Sequence, residues 1–103
     1  MVNWKKLVRQ IPDRVQVGRK SWYTILRVVK PPSGDYTAGE CDPNTKTIFI
    51  RINETPRQTV LTYLHELTHA ISFELELDLT ETQVSKIETK ALHYLLKEGN
   101  VFK

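Results

Sequence analysis

The sequence predicts an α+β fold in one domain, on three observations. Residues 15–52 carry runs in which apolar and polar positions alternate, residues 55–98 repeat apolar positions with a helical period, and 103 residues suffice for one hydrophobic core but not for two. Strands first and helices afterwards is the order of an α+β domain. With 40% hydrophobic and 26% charged residues, four Gly and five Pro, the chain has the composition of an ordinary globular protein, neither disordered nor fibrous.

The elements follow in order. Asn3 suits the N-cap of a short amphipathic helix that runs to about Gln10 and stops at Pro12. Val15 and Val17 alternate with polar residues, Gly18 to Lys20 reads as a turn, and Trp22 to Val29 is rich in β-branched and aromatic residues; together they predict a β-hairpin. Pro31, Pro32 and Gly34 break the chain, and Asp35 to Lys46 reads as a polar loop with a short extended piece near Tyr36 to Glu40 and a turn at Asp42-Pro43-Asn44. Thr47 to Ile52 sets Ile48, Ile50 and Ile52 against Thr47, Phe49 and Arg51, the pattern of a half-buried or edge strand with a free outer face. Thr55 followed by Pro56 opens a helix to about Glu76, on which Val60, Leu64, Leu67, Ile71 and Leu75 form a single apolar stripe. The last helix begins with the capping box Thr80-Glu81-Thr82-Gln83 and stops at Gly99.

The net charge of +3 divides into +6 over residues 1–52 and −3 over residues 53–103. The basic residues of the first half, Arg14, Arg19 and Lys20 among them, are spread along the chain without an aromatic-interleaved RNA motif or a helix-turn-helix pattern. Nucleic-acid binding is therefore weakly supported, and a solvated surface is the better reading. No apolar run approaches a membrane span, and the first ten residues alternate charge with hydrophobe where a signal peptide needs a continuous apolar segment; no membrane partner and a cytoplasmic location are expected. Cys41 is the single cysteine and has no internal disulfide partner, in keeping with a reducing compartment.

One stretch is not explained by folding alone. Tyr63-Leu-His-Glu-Leu-Thr-His-Ala-Ile71 sets His65 and His69 around Glu66 inside an apolar run. On a helix the two histidines lie one turn apart on one face, so both imidazoles can reach one ion, and Glu66 sits about 100° around the axis, where it can face a water on that ion. Both histidines fall well away from the centre of the apolar stripe, about 120° and 160° around the helix, so they are not core residues of that stripe. Zinc suits two neutral imidazoles plus a carboxylate, with a fourth position for a water whose pKa drops towards about 7 and whose proton Glu66 takes.

A third ligand is needed. Glu74, Glu76, Asp78, Glu81, Glu88 and His93 follow the motif. Glu74 and Glu76 lie on or at the end of the histidine helix and turn back on the same ion with difficulty, while Asp78 lies in the connection. Glu81 and Glu88 are seven apart on the last helix, on one face with Val84, Ile87, Ala91 and Leu95. A short connection makes the two helices antiparallel neighbours, and both glutamates remain open as ligands at this point.

The strand Thr47 to Ile52, the stretch "TVLTYLHELTHAI" and the stretch "LTETQVSKIETKAL" together resemble small phage- and prophage-encoded zinc metallopeptidase-like proteins, related to the minimal zincins of the ImmA/IrrE and SprT-like type. The resemblance spans about residues 11–96. It implies a small twisted sheet packed against the active-site helix and a C-terminal helix. It also implies His65 and His69 as zinc ligands, Glu66 as general base, and a glutamate followed three and six residues later by apolar positions as third ligand. Glu81 matches that pattern through Val84 and Ile87, and Glu88 matches it less well through Ala91 and Tyr94. A protein or peptide substrate, bound along the edge strand Thr47 to Ile52 by strand addition, would complete the picture, in the host cytoplasm if the chain is phage-encoded. A metal-stabilised binding module is the alternative. Tyr36, Tyr94 and His93 are the candidates for stabilising an oxyanion.

Overall fold

The computed structural model describes residues 3–27, 39–51 and 55–98, with side chains for all of these except Arg27 and residues 94–98. Helix α1 spans Trp4–Arg9, and Asn3 caps it as predicted, its Oδ1 accepting a hydrogen bond from the Lys6 amide at 3.0 Å. Strands β1 (Arg14–Val17) and β2 (Lys20–Arg27) form the expected hairpin, in the register Arg14↔Tyr23 to Val17↔Lys20. Its turn needs Gly18, which takes φ +60, a conformation that side-chain-bearing residues adopt at a cost.

Strands β3 (Gly39–Asp42) and β4 (Thr47–Arg51) form a second hairpin, with Asp42 Oδ1 accepting from the Asn44 amide at 3.0 Å to close the turn. The extended piece expected near Tyr36 to Glu40 overlaps this β3 at Gly39 and Glu40, and the strand runs on to Asp42, into the segment expected as loop; residues 36–38, the proline break at 31 and 32, and the ends expected at Val29, Ile52 and Gly99 lie outside the described residues. The four strands lie in the order β1-β2-β4-β3, with β4 parallel to β2 and antiparallel to β3.

That order corrects one expectation. The sequence pattern of Thr47 to Ile52 predicts an edge strand, whereas β4 is bonded on both sides and β3 is the edge strand. Alternation along a strand reports which faces are covered and says nothing about lateral neighbours. Ile48 and Ile50 are fully buried and Thr47 nearly so, as befits a central strand, while β3 alternates Gly39 and Cys41 with the charged Glu40 and Asp42.

Helix α2 spans Pro56–Glu74, with Thr55 as N-cap and Pro56 in the first turn, and helix α3 spans Glu81–Glu98. The capping box of α3 is present in both directions, Thr80 Oγ accepting from the Gln83 amide at 3.2 Å and Gln83 Oε1 accepting from the Thr80 amide at 2.8 Å. Between the helices the Leu77 amide reaches the Ser72 carbonyl and the Glu76 amide the Phe73 carbonyl, with Glu76 left-handed at φ +54, a Schellman turn built without glycine. The Ser72 hydroxyl then accepts from the Leu79 amide at 3.0 Å, which holds the connection against α2.

The core lies between one face of the sheet and α2. Trp22, Ile48, Ile50, Val60 and Ala70 are wholly buried and Tyr63 almost so, and each of the larger side chains stabilises the fold by about 2 to 3 kcal/mol. A polar clamp closes one end: the Trp22 indole donates to Glu74 Oε2 at 2.7 Å, Lys46 Nζ reaches Glu74 Oε1 at 3.1 Å, and the same ammonium lies 4.5 Å from the Phe73 ring centre. Among the described residues, no helix is long and apolar enough to cross a membrane.

Candidate metal centre

Helix α2 is packed on more than one side, and that decides where its polar side chains go. Its deeply buried positions include Thr59, Val60, Thr62, Tyr63, Leu64, Thr68, Ala70 and Ser72, whereas Leu67 and Ile71 of the predicted stripe are only partly covered and Leu75 is 53% exposed. Threonines and a serine occupy covered faces, their hydroxyls turned back on the helix in two cases: Thr59 to the Thr55 carbonyl at 3.0 Å and Thr68 to the Leu64 carbonyl at 2.7 Å. The stripe expected from hydrophobicity is therefore narrower than the surface that packs. His65 and His69 stand towards α3, each with about a quarter of the side chain exposed.

The two imidazoles converge with Glu81. His65 Nε2 lies 3.2 Å from His69 Nε2, Glu81 Oε2 lies 3.2 Å from His65 Nε2, and Glu81 Oε1 lies 3.0 Å from His69 Nε2. Ligands about 2.1 Å from a tetrahedral zinc stand about 3.4 Å apart, so these separations are close to those of a zinc donor set. Two imidazole nitrogens and a carboxylate also match the donor types that zinc accepts. Among the described residues these three form the one group of His, Cys, Asp or Glu donors close enough together to share an ion.

Glu88 takes a different place. Its Oε1 lies 3.2 Å from His65 Nδ1, the ring nitrogen facing away from the cluster. Burial pulls the His65 imidazolium down, but the hydrogen bond and charge of Glu88, with the charges of Glu66 and Glu81, outweigh it and hold the imidazole above its ordinary pKa.

Glu66 is 9% exposed. Burial pushes its carboxyl up to about 7; His65 opposes this, and the negative charges of Glu81, Glu40 and Glu88 add to it. The edge strand passes close by. A Cβ on Gly39 would stand 2.5 Å from Thr62 Cγ2 and 3.0 Å from Glu66 Cγ, so only glycine lets β3 approach the general-base candidate this closely. Cys41, two residues further on, is half-buried; burial, then Glu66 and Asp42, push its thiol up to about 12, so it stays a neutral thiol. Gly39, Cys41 and Ser72 were not marked by the sequence as belonging near the site. A glycine at the start of a short charged strand is the one signal that bears on Gly39.

The remaining candidates separate. Glu74 is held by Trp22 and Lys46; burial raises its carboxyl, but those two hydrogen bonds and the lysine charge leave it below the usual range. Glu76 and Asp78 are exposed, both left-handed, and outside the donor group, as is the exposed His93. Tyr36 and the side chain of Tyr94 lie outside the described residues. A cleft of about 660 Å³ opens beside His69, with Ser72, Phe73, Asp78 and Leu79 in its wall. Compared with known protein families, with curated proteins and with solved structures, the chain matches none.

Proposed function

We propose that the chain is a zinc-dependent peptidase. The observation that carries this reading is the convergence of His65 Nε2, His69 Nε2 and both Glu81 oxygens within 3.2 Å, with the buried Glu66 next to His65 on the same helix. Zinc bound there would polarise a substrate carbonyl and make a water acidic near neutral pH. His65, His69 and Glu81 would hold the ion, and Glu66 would take the water's proton as attack proceeds and return it to the departing amine.

The edge strand β3 supports a peptide substrate. Among the described residues its outer edge has no strand partner, and Gly39 brings it against Glu66, so an extended peptide paired there would pass the base. The cleft beside His69, with the half-exposed Phe73 and the partly covered Leu79, offers an apolar wall to a neighbouring side chain.

The test is Glu66→Gln, with zinc content measured by native mass spectrometry and cleavage of a mixed peptide library followed by mass spectrometry. One zinc in both proteins and cleavage by the parent alone is the expected result; equal cleavage by both would sink the assignment of Glu66.

One observation favours a second reading, a metal-stabilised module that binds single-stranded nucleic acid. On the sheet surface away from the helices, Tyr23 and Ile25 are 49% and 44% exposed, and Arg14, paired with Tyr23 across the hairpin, is exposed beside them. A parent that cuts nothing in the library, yet binds RNA or DNA in a salt-dependent way that Glu66→Gln leaves unchanged, would move the assignment to that module.

A further inference from the structure

We infer that Glu88 is a positioning residue: it holds the His65 ring by Nδ1 so that Nε2 faces the ion position shared with His69 and Glu81. The inference rests on the metal-site reading above and adds to it a residue that does not touch the ion.

Helix α3 brings two carboxylates to one imidazole, seven residues and therefore two turns apart. They meet opposite edges of the ring. Glu81 Oε2 stands 3.2 Å from Nε2, and Glu88 Oε1 stands 3.2 Å from Nδ1. The lone pairs of the two ring nitrogens diverge, so a group on Nδ1 cannot share an ion with a group on Nε2, and Glu88 is absent from the three-residue donor group.

Exposure separates the two glutamates in the same way. The Glu81 side chain is 73% exposed, as a ligand open to an incoming ion and to solvent would be, whereas that of Glu88 is 17% exposed and sits between α2 and α3. A carboxylate with so little water needs a donor, and the His65 ring N–H is the one it has. An ionised carboxylate can only accept, so Glu88 keeps a hydrogen on His65 Nδ1 and leaves Nε2 as the nitrogen that gives up its hydrogen to an ion, the tautomer that ligation through Nε2 requires. Among the described residues, the contacts of His69 all fall on Nε2, so Glu88 is the only side chain that fixes a ligand ring from behind.

The experiment compares metal-free parent, Glu88→Ala, Glu88→Gln and Glu81→Ala. Zinc affinity is measured against a competing chelator, and the His65 tautomer by nitrogen NMR. The parent is expected to bind one zinc and Glu88→Ala to bind one zinc about 10- to 100-fold more weakly. Glu88→Gln, whose amide oxygen still accepts from Nδ1–H and whose shape is conserved, is expected to recover most of that loss. Glu81→Ala should lose far more. At a pH where the ring is neutral, His65 should show the Nδ1–H form in the parent and in Glu88→Gln, and a mixture in Glu88→Ala.

Zinc bound equally by the parent and Glu88→Ala, with the tautomer unchanged, overturns this inference alone. Loss of zinc in Glu88→Ala as complete as in Glu81→Ala, without recovery in Glu88→Gln, also overturns it, because Glu88 would then be a ligand. No zinc binding by the parent overturns the metal-site reading, and this inference with it.

Discussion

Glu66 shows at the scale of one residue how a site and a fold compete. A carboxyl raised from 4.5 to about 7 in the folded chain binds its proton more tightly there than in the unfolded chain. Its favourable contribution is therefore present below about pH 4.5 and is lost as pH rises through about 7, by up to about 3 kcal/mol. Glu66→Gln keeps the shape without the charge. In metal-free protein it should raise stability to urea by about 2 to 3 kcal/mol at pH 8 and change it little at pH 5. Equal urea midpoints for the two proteins at pH 8 would show that Glu66 ionises in place at no cost. The motif made this residue legible, since His65-Glu66-x-x-His69 states its own spacing. Gly39 was hidden, because close approach of a strand to a helix leaves no mark in a sequence beyond the glycine that permits it.

Capping and hairpin chemistry were the most legible elements. Asn3, Thr55 and Thr80 each bond the amide three residues on, as their positions predict, because caps are local interactions between near neighbours. Edge status and the covered faces of α2 were not legible, because both depend on which elements arrive beside them. Length explains neither failure. The threonines at 59, 62 and 68 look polar in sequence yet pack, two of them returning their hydroxyls to the helix or its cap. One element end also departs from local preference. Glu76 occupies the left-handed position of the Schellman turn that glycine usually takes. Glu76→Gly should therefore raise the stability of the protein by about 0.5 to 1 kcal/mol, seen as a melting temperature several degrees higher. A lower melting temperature would mean that the exposed Glu76 side chain contributes more than its backbone conformation costs.

Across the whole molecule, α3 packs chiefly on α2, and the donor group bridges those same two helices. An ion that binds only the folded chain should hold α3 in place and stabilise everything beneath it. At one hundred times its dissociation constant, zinc should add about 2.7 kcal/mol, a rise in melting temperature on the order of 10 to 20 °C that chelator reverses. An unchanged melting curve with zinc in that excess would argue against the site. The α+β class was legible because strands and helices have different apolar periods, whereas the strand order rests on pairings distant in the chain. That order governs assembly as well as shape. Each hairpin can close within a few residues, but the parallel seam between β2 and β4 joins Tyr23 to Thr47, twenty-four positions apart. The two hairpins are thus locally encoded halves that must find each other by diffusion, with their joining as the slow, entropy-limited step of folding. A chain stalled at that point would expose two open strand edges at once, and so would be most prone to pair with its own copies before the sheet is whole.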